Sequence, residues 1–278
     1  MKMNYENFKE NFIDDVKAGL YERGYEDVRI QVNDVKKFND GYEAITVTPA
    51  GQNIGVNLNA QAFFEAYEKG RDYSEVVEKA VDTAAQGLAN TPVVDVDALT
   101  DYEQMKDKLV MEVVATETNA ELLATVPHKE MEDMSVVYRF VLGSDDDSRA
   151  TILVTNNIIE NMGVTPEQLH KDAMENSPAL KPVIIKGMSE VLAEMMDVGL
   201  DDLADMGMPM DPGDEQMYVA TVPDKIHGAG VLAYQDFMDQ AAERCGGSFY
   251  ILPSSLHEIL LVPDTGTIEL SQLESMVR

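Results

Sequence analysis

Few residues of this sequence could do chemistry, and four of them lie in one short segment. Ser254-Ser255-Leu256-His257-Glu258 combines two hydroxyls, an imidazole and a carboxylate. A serine activated by a histidine, with an acid that orients the ring, is the arrangement of many hydrolases. Adjacent residues of an extended chain point to opposite faces, so His257 and Glu258 are not expected to face each other. The segment is therefore a candidate catalytic site, with a turn capped by its two hydroxyls as the structural alternative.

A second candidate site lies earlier in the chain and contains two glycines. His227-Gly228-Ala229-Gly230 follows a predicted strand and opens a predicted helix. A glycine-bearing turn at such a junction can present backbone N–H groups to an anion. Gly228 and Gly230 match neither the dinucleotide fingerprint nor the phosphate-binding loop, and no Lys-Ser or Lys-Thr pair follows them. His227, Gly228 and Gly230 are candidate ligand-binding residues, and close packing of a helix on a sheet is the structural alternative.

Metal and thiol chemistry are not predicted. His128 and His170 each lie near acidic residues, but neither belongs to the helical histidine pair of zinc hydrolases. The loop Asp145-Asp146-Asp147 lacks the glycine and the terminal glutamate of an EF-hand. Cys245 is the only cysteine, so no internal disulfide can form, and its place at the end of a predicted helix disfavours a thiolate. We expect no metal site and no cofactor.

The composition limits the classes of partner. The 278 residues include 51 Asp and Glu against 21 Lys and Arg, a formal net charge of −30. No basic stripe offsets this charge, so direct binding to nucleic acid or to anionic lipid is not expected. The apolar fraction of 45% suffices for a folded core, and no run approaches the ~18 apolar residues of a membrane span. The N-terminus lacks the apolar run of a signal peptide, so a cytoplasmic protein is expected.

Residues 1–92 predict a small α+β unit. Apolar residues recur first at helical spacing, then alternate as in half-buried strands, and then return to helical spacing. Asn39-Asp40-Gly41 supplies a turn between strands, and Asn59 can cap the helix that follows them. We therefore expect a helix, a three-stranded antiparallel meander and two helices: helix 4–23, strands 28–32, 42–48 and 53–58, and helices 60–69 and 73–88.

Residues 100–278 predict a larger mixed α/β unit, after a connector at 90–100. Thr165-Pro166-Glu167 is a helix start, with a capping threonine and a proline in the first turn. Loops are expected at 143–148, which is acidic, and at 199–214, which is rich in Met and Gly. The predicted elements are short helices at 101–106 and from 118, strands 109–114, 136–142 and 150–155, helices 165–176 and 182–196, strand 217–222, helix 229–244, strands 248–252 and 258–262, and helix 270–277.

Motifs along nearly the whole chain carry a resemblance to a known family. The most distinctive is Tyr250-Ile251-Leu252-Pro253-Ser254-Ser255-Leu256-His257-Glu258, and shorter ones lie at 101–109, 127–128, 133–139, 152–156, 217–219 and 228–229. Together they resemble a bacterial family of unknown function found in gut anaerobes. That family has no established activity, so the resemblance implies no substrate, cofactor or site residue. Its members usually continue past the equivalent of Met276-Val277-Arg278, so this chain is expected to be shortened at its C-terminus.

These observations leave three hypotheses for function. The first is a non-enzymatic, cytoplasmic interaction or accessory protein that meets a protein partner through its acidic exterior. The second is a hydrolase or small-ligand-binding enzyme centred on Ser254, Ser255, His257 and Glu258, helped by His128 or His227. The third is a nucleic-acid mimic, which requires carboxylates along one face at duplex-like spacing. The place of the four histidines relative to the largest cavity separates the first hypothesis from the second.

Overall fold

The chain divides into two compact units, residues 1–93 and residues 94–278. The structure, a computed structural model, describes residues 2–38, 40–52, 55–90, 100–145, 148–199 and 215–277. The predicted connector at 90–100 and loop at 199–214 lie almost entirely outside these residues, as does Asn39 of the predicted turn. The fold class is α+β, as predicted, with helices around antiparallel sheets. That 1–92 and 100–278 are independently folding domains stays a prediction.

Residues 1–93 form the predicted helix, three-stranded antiparallel meander and two helices. Asn59 caps the second helix as expected, since its side-chain oxygen accepts a hydrogen bond of 2.9 Å from the backbone N–H of Ala62. The strands lie in the order β1-β2-β3. The elements are α1 (Tyr5–Glu22), β1 (Val28–Lys37), β2 (Asp40–Pro49), β3 (Val56–Asn59), α2 (Ala60–Glu68) and α3 (Tyr73–Ala89).

Aromatic side chains fill the core of this first unit. Phe8 and Phe12 repeat at helical spacing on α1, are fully buried, and stack with their ring centroids 5.1 Å apart. Phe12 also meets Phe63 of α2 at 5.3 Å. Val47 and Leu58 close this core from the sheet. The first helix is therefore held by one apolar stripe rather than by its polar face.

The first sheet of residues 94–278 is centred on one long strand. β6 (Met134–Asp145) pairs with β4 (Leu109–Ala115) along one side and with β5 (Lys129–Met131) and β7 (Ser148–Leu153) along the other, all antiparallel. The predicted hairpin is β6 and β7, but its strands run through most of the predicted loop 143–148. β4 is an edge strand, and six consecutive residues of it are buried.

The second sheet has the strand order β10-β11-β9-β8, again antiparallel throughout. The turn between β10 and β11 is the predicted one that contains Ser254 and Ser255. The strands are β8 (Ile184–Gly187), β9 (Tyr218–Thr221), β10 (Phe249–Pro253) and β11 (Ile259–Pro263). The described α-helices of this unit are α4 (Tyr102–Met105), α5 (Ala120–Leu123), α6 (Asn156–Met162), α7 (Pro166–Leu180), α8 (Met188–Met196), α9 (Phe237–Cys245) and α10 (Leu270–Val277).

Two predicted helices are wrong in their first halves. The helix expected at 182–196 begins only at Met188, because Val183-Ile184-Ile185 is β-branched and Ile184 and Ile185 pair with β9 as part of β8. The helix expected at 229–244 is instead a 3-10 helix, Gly228–Ala233, followed by α9. Tyr234 takes an extended conformation between them, and its hydroxyl donates to the carbonyl of Lys181 at 2.9 Å. In both cases a tertiary contact decides the local structure.

The helix predicted from Thr165 is confirmed, with the Thr165 hydroxyl accepting a hydrogen bond of 3.2 Å from the N–H of Gln168. It runs past the predicted end at Asn176 to Leu180, and Pro178 lies in its last turn. β5 and α6 were not predicted. Among the described residues, no helix has the length and apolarity that crossing a bilayer requires.

We expect Phe12→Ala to lower the free energy of unfolding by about 3–5 kcal/mol, because it leaves a cavity between three packed rings. Tyr21→Ala on the same helix is the matched control, since Tyr21 is 61% exposed and should change stability by less than about 0.5 kcal/mol. Urea unfolding followed by circular dichroism measures both. Equal losses in the two variants would mean that the buried stripe does not hold α1.

Candidate functional site

The structure brings together two of the predicted site residues, His227 and His257. The backbone N–H of His227 donates a hydrogen bond of 3.1 Å to Nδ1 of His257, and the ring centroids are 5.6 Å apart. His227 precedes the 3-10 helix Gly228–Ala233, and His257 lies exposed in the β10–β11 turn. His227 has φ 57°, the left-handed region that few residues other than glycine enter. The sequence predicted each histidine separately and did not predict their contact.

A buried carboxylate, Glu112 of β4, completes this cluster. Its side chain is 1% exposed, and its Oε1 lies 2.7 Å from Nδ1 of His227. Its Oε2 accepts a hydrogen bond of 2.6 Å from Nε of Arg139, on the neighbouring strand β6. Glu112 was missed in the sequence, although an acid inside the buried apolar run Leu109–Val114 is itself a signal that a partner must exist.

Glu112 stays ionised because its partners outweigh the effect of burial. Burial alone would raise the pKa of Glu112, whereas the contact with His227 and the guanidinium of Arg139 lower it, and the net direction is downward. Within the described residues, neither Glu112 Oε1 nor His227 Nδ1 forms a hydrogen bond of regular geometry, so their 2.7 Å approach is a close polar contact without that alignment. The two atoms therefore depend on each other, and we call Glu112, Arg139, His227 and His257 the histidine cluster.

Gly228 and Gly230 are required by close packing. A Cβ on Gly228 would lie 2.3 Å from the carbonyl oxygen of His257, and one on Gly230 would lie 2.5 Å from that of Met111. The N–H groups of Ala229 and Gly230 donate to Leu256 and His227 carbonyls, so they are not free to hold an anion. Close packing therefore accounts for both glycines, because they let the 3-10 helix approach both the turn and the edge of β4. Ligand binding by His227, Gly228 and Gly230 stays a prediction.

The serine hydroxyls of the predicted catalytic segment have other partners. Ser254 Oγ donates to Glu258 Oε1 at 3.4 Å, and Ser255 Oγ accepts from the backbone N–H of His257 at 3.0 Å. His257 and Glu258 contact different groups, in keeping with the expectation that they do not face each other. Among the described residues, neither serine hydroxyl forms a hydrogen bond with an imidazole nitrogen. A serine nucleophile activated by His257 therefore has no support from this geometry.

The remaining candidates have structural contacts. His170 lies between Tyr138 and Lys129, with Nδ1 2.9 Å from the tyrosine hydroxyl and Nε2 3.1 Å from the lysine Nζ. Burial, and then the lysine charge, lower the pKa of His170, so the ring stays neutral. His128 contacts the Val126 carbonyl at 3.1 Å. Among the described residues, no three His, Cys, Asp or Glu side chains are grouped as metal ligands would be.

A large cavity lies elsewhere in the same unit, and none of the four histidines lines it. It is a cleft of about 1410 Å³ beside the second sheet, between the end of α9 and the start of α10. Its apolar lining comes from Val183, Ile185, Met217, Val262, Ile268 and Leu273. Cys245 is half-buried in the cleft, and burial raises the pKa of its thiol, in line with the predicted lack of reactivity.

The charged groups of the cleft are mostly acidic. Glu215, Glu243 and Asp264 line it, and Arg244 is the one cation among its lining residues. The Arg244 guanidinium is already engaged, since it lies 3.0 Å from Glu190 and over the ring of Tyr218 at 5.3 Å. Glu243 and Asp264 are exposed at the rim. The cleft thus combines an apolar floor with a negative rim.

One known protein family matches almost the whole chain. The chain matches DUF5688, a family of unknown function, over residues 5–278. The chain belongs to this family. The resemblance to an uncharacterised family is thereby confirmed, whereas an origin in gut anaerobes stays a prediction. Comparisons with curated proteins and with solved structures gave no significant match. DUF5688 has no established activity, so function must be argued from the geometry of this chain.

We expect Glu112→Gln to destabilise the protein by about 3 kcal/mol at neutral pH, because it leaves the guanidinium of Arg139 without its buried counter-charge and removes the carboxylate that contacts His227. The folded-state pKa of Glu112 is depressed, so its charge stabilises the fold above the unfolded-state pKa, and this contribution is lost as pH falls through the folded-state pKa. The difference between variant and wild type should therefore shrink in acid. Urea unfolding at neutral and acidic pH measures it.

Glu130→Gln, at an exposed position of β5, is the matched control for this change of charge. It should alter the free energy of unfolding by less than about 0.5 kcal/mol at either pH. A Glu112→Gln protein as stable as the control would show that the carboxylate does not hold the histidine cluster together.

Proposed function

We propose that this member of DUF5688 is a binding protein whose cleft in residues 94–278 takes a basic, partly apolar segment of another protein. The observation that carries the proposal is the cleft itself, a large concave surface with an apolar floor and a negative rim. Such a surface suits an extended chain that places apolar side chains on the floor and lysine or arginine at the rim.

The size of the cleft favours a peptide over a small molecule. Pockets for small ligands usually enclose about 300–1,000 Å³, and this one reaches about 1410 Å³. Large concave surfaces are also where binding sites are most often found in proteins. A segment of several residues would fill this volume, whereas a metabolite would leave most of it in contact with water.

The charge of the cleft favours a basic partner. Two rim carboxylates, Glu243 and Asp264, are exposed, and the guanidinium of Arg244 is occupied by Glu190. The chain outside the cleft reinforces this field. Residues 94–278 contain 35 Asp and Glu against 11 Lys and Arg, whereas residues 1–93 contain 16 against 10. Long-range attraction toward this unit would raise the association rate of a cationic partner.

The proposed setting is the cytoplasm, and the proposed partner is a protein. The strong negative charge opposes nucleic acid and anionic lipid. A half-buried single thiol needs no oxidising compartment to remain intact. Nucleic-acid mimicry is the competing hypothesis, and it differs in one respect: it would spread recognition over many carboxylates instead of placing it at one cleft.

We expect a fluorescein-labelled peptide of alternating lysine and leucine to bind the full chain, with fluorescence anisotropy as the measurement. The double variant Glu243→Lys/Asp264→Lys should weaken binding about tenfold or more, because it reverses both exposed rim charges. Affinity should also fall as salt is raised, since the rim is exposed and therefore screened.

The double variant Glu10→Lys/Glu22→Lys is the matched control, with the same change of net charge at exposed positions of α1. It should leave the affinity nearly unchanged. An equal loss in the two double variants would locate recognition in the overall charge, which is what mimicry predicts, and would overturn the proposal for the cleft. A peptide of alternating glutamate and leucine should not bind.

A further inference from the structure

We propose that the histidine cluster is a second site, at which His227 acts as a base and His257 as a hydrogen-bond donor in the hydrolysis of a small uncharged ester. The site is independent of the proposed binding at the cleft, since neither histidine nor Glu112 lines it. A different neighbouring group fixes the position of the proton on each ring.

The buried carboxylate fixes the proton of His227. Nδ1 of His227 lies 2.7 Å from Glu112 Oε1, and Glu112 is held from its other side by Arg139. The contact lacks the alignment of a regular hydrogen bond, but a carboxylate oxygen at 2.7 Å would repel a lone pair on the ring nitrogen, so that nitrogen carries the proton. In the neutral ring, Nε2 of His227 then has the lone pair. A base oriented in this way by a third group is a recurring feature of hydrolytic sites.

A backbone group fixes the proton of His257 in the opposite sense. The N–H of His227 donates to Nδ1 of His257 at 3.1 Å, so that nitrogen must carry the lone pair and Nε2 the proton. The ring of His257 is exposed and can donate its Nε2–H to a ligand. A metal ion would need lone pairs on both Nε2 atoms, so this pair of rings suits a polar organic group instead.

The proposed base and the proposed hydrogen-bond donor lie side by side. The ring centroids of His227 and His257 are 5.6 Å apart, so one small molecule can contact both. Two constraints keep the rings there: the left-handed backbone of His227, and the absence of a Cβ at Gly228, which lets the 3-10 helix lie against the carbonyl of His257. A non-glycine residue in a sparsely populated conformation is a frequent feature of functional sites.

The reaction that this pair supports uses water as the nucleophile. Nε2 of His227 takes a proton from water while the water oxygen bonds to the ester carbonyl carbon, and the carbonyl π electrons move to its oxygen. That oxygen accepts a hydrogen bond from Nε2–H of His257. When the carbonyl re-forms, the bond to the alkoxide breaks and the alkoxide takes the proton from His227. Ester and water become acid and alcohol, and both rings are restored.

The surroundings limit the substrate to uncharged or cationic esters. Glu258 follows His257 in the chain, and residues 94–278 carry a large excess of carboxylates, so anionic substrates are repelled. A small acyl group is favoured, because neither histidine lines the large cleft beside the second sheet.

Hydrolysis of 4-nitrophenyl acetate by the full chain is the first test. We expect His227→Asn to lower the rate above background about 10²-fold, the usual effect of losing a general base. Asparagine tolerates the left-handed backbone, so the variant should fold. His257→Asn should also lower the rate, whereas the matched control His128→Asn, which removes an imidazole outside the cluster, should not. Equal rates for His227→Asn and His128→Asn would overturn the proposal.

The second test reads the proton positions directly in the wild-type protein. Nitrogen-15 NMR of the imidazoles should show His227 protonated at Nδ1 and His257 at Nε2, and Glu112→Gln should change the signals of His227 more than those of His170. The reverse tautomers would overturn the proposal even if some hydrolysis were seen. This measurement also decides the matter if His227→Asn does not fold.

Discussion

One buried carboxylate constrains how the larger unit, residues 94–278, is packed. Glu112 lies in the middle of an edge strand whose neighbours along the chain are all apolar and buried, and a carboxylate there is tolerated only with cationic or hydrogen-bonding partners. Arg139 comes from the adjacent strand of the same sheet, but His227 comes from the loop that follows β9 of the other sheet. The need to compensate one charge therefore ties the two sheets together.

Further contacts at the junction of the two sheets hold His227 within reach of Glu112. Lys181, buried at the end of α7, donates to the carbonyl of Ile226 at 2.7 Å and pairs with Asp224 at 3.3 Å, which fixes the loop just before the histidine. Ser177 of the same helix accepts the N–H of Met111 at 2.9 Å, which satisfies the edge of β4 beside Glu112. α7 thus holds both the loop that carries His227 and the strand that carries Glu112. Its polar residues there are buried because they form these hydrogen bonds.

The elements that depend on local signals could be predicted from the sequence, and those that depend on distant partners could not. The apolar stripe of α1 and the caps at Asn59 and Thr165 act within a turn or two, so their helices were found with nearly correct bounds. The run Val183-Ile184-Ile185 suits a buried helix as well as a strand, and only its pairing with β9 decides. His227 and His257 were singled out for their chemistry, but that His227 is the partner of Glu112, far away in the chain, could be found only from the folded structure.

This contact between the sheets also explains why the cleft and the histidine cluster can serve different purposes in one unit. The cleft is built from the ends of β8, β9 and β11 with α9 and α10, and its charged groups are exposed or bound to residues beside the cleft. The histidine cluster lies where the loop after β9 meets β4, and its decisive group is almost fully buried. A charge held in low dielectric acts strongly on an adjacent ring, whereas exposed rim charges act weakly and over a distance. Proton positions are therefore set at the cluster, whereas the attraction that we propose for a basic partner acts at the cleft.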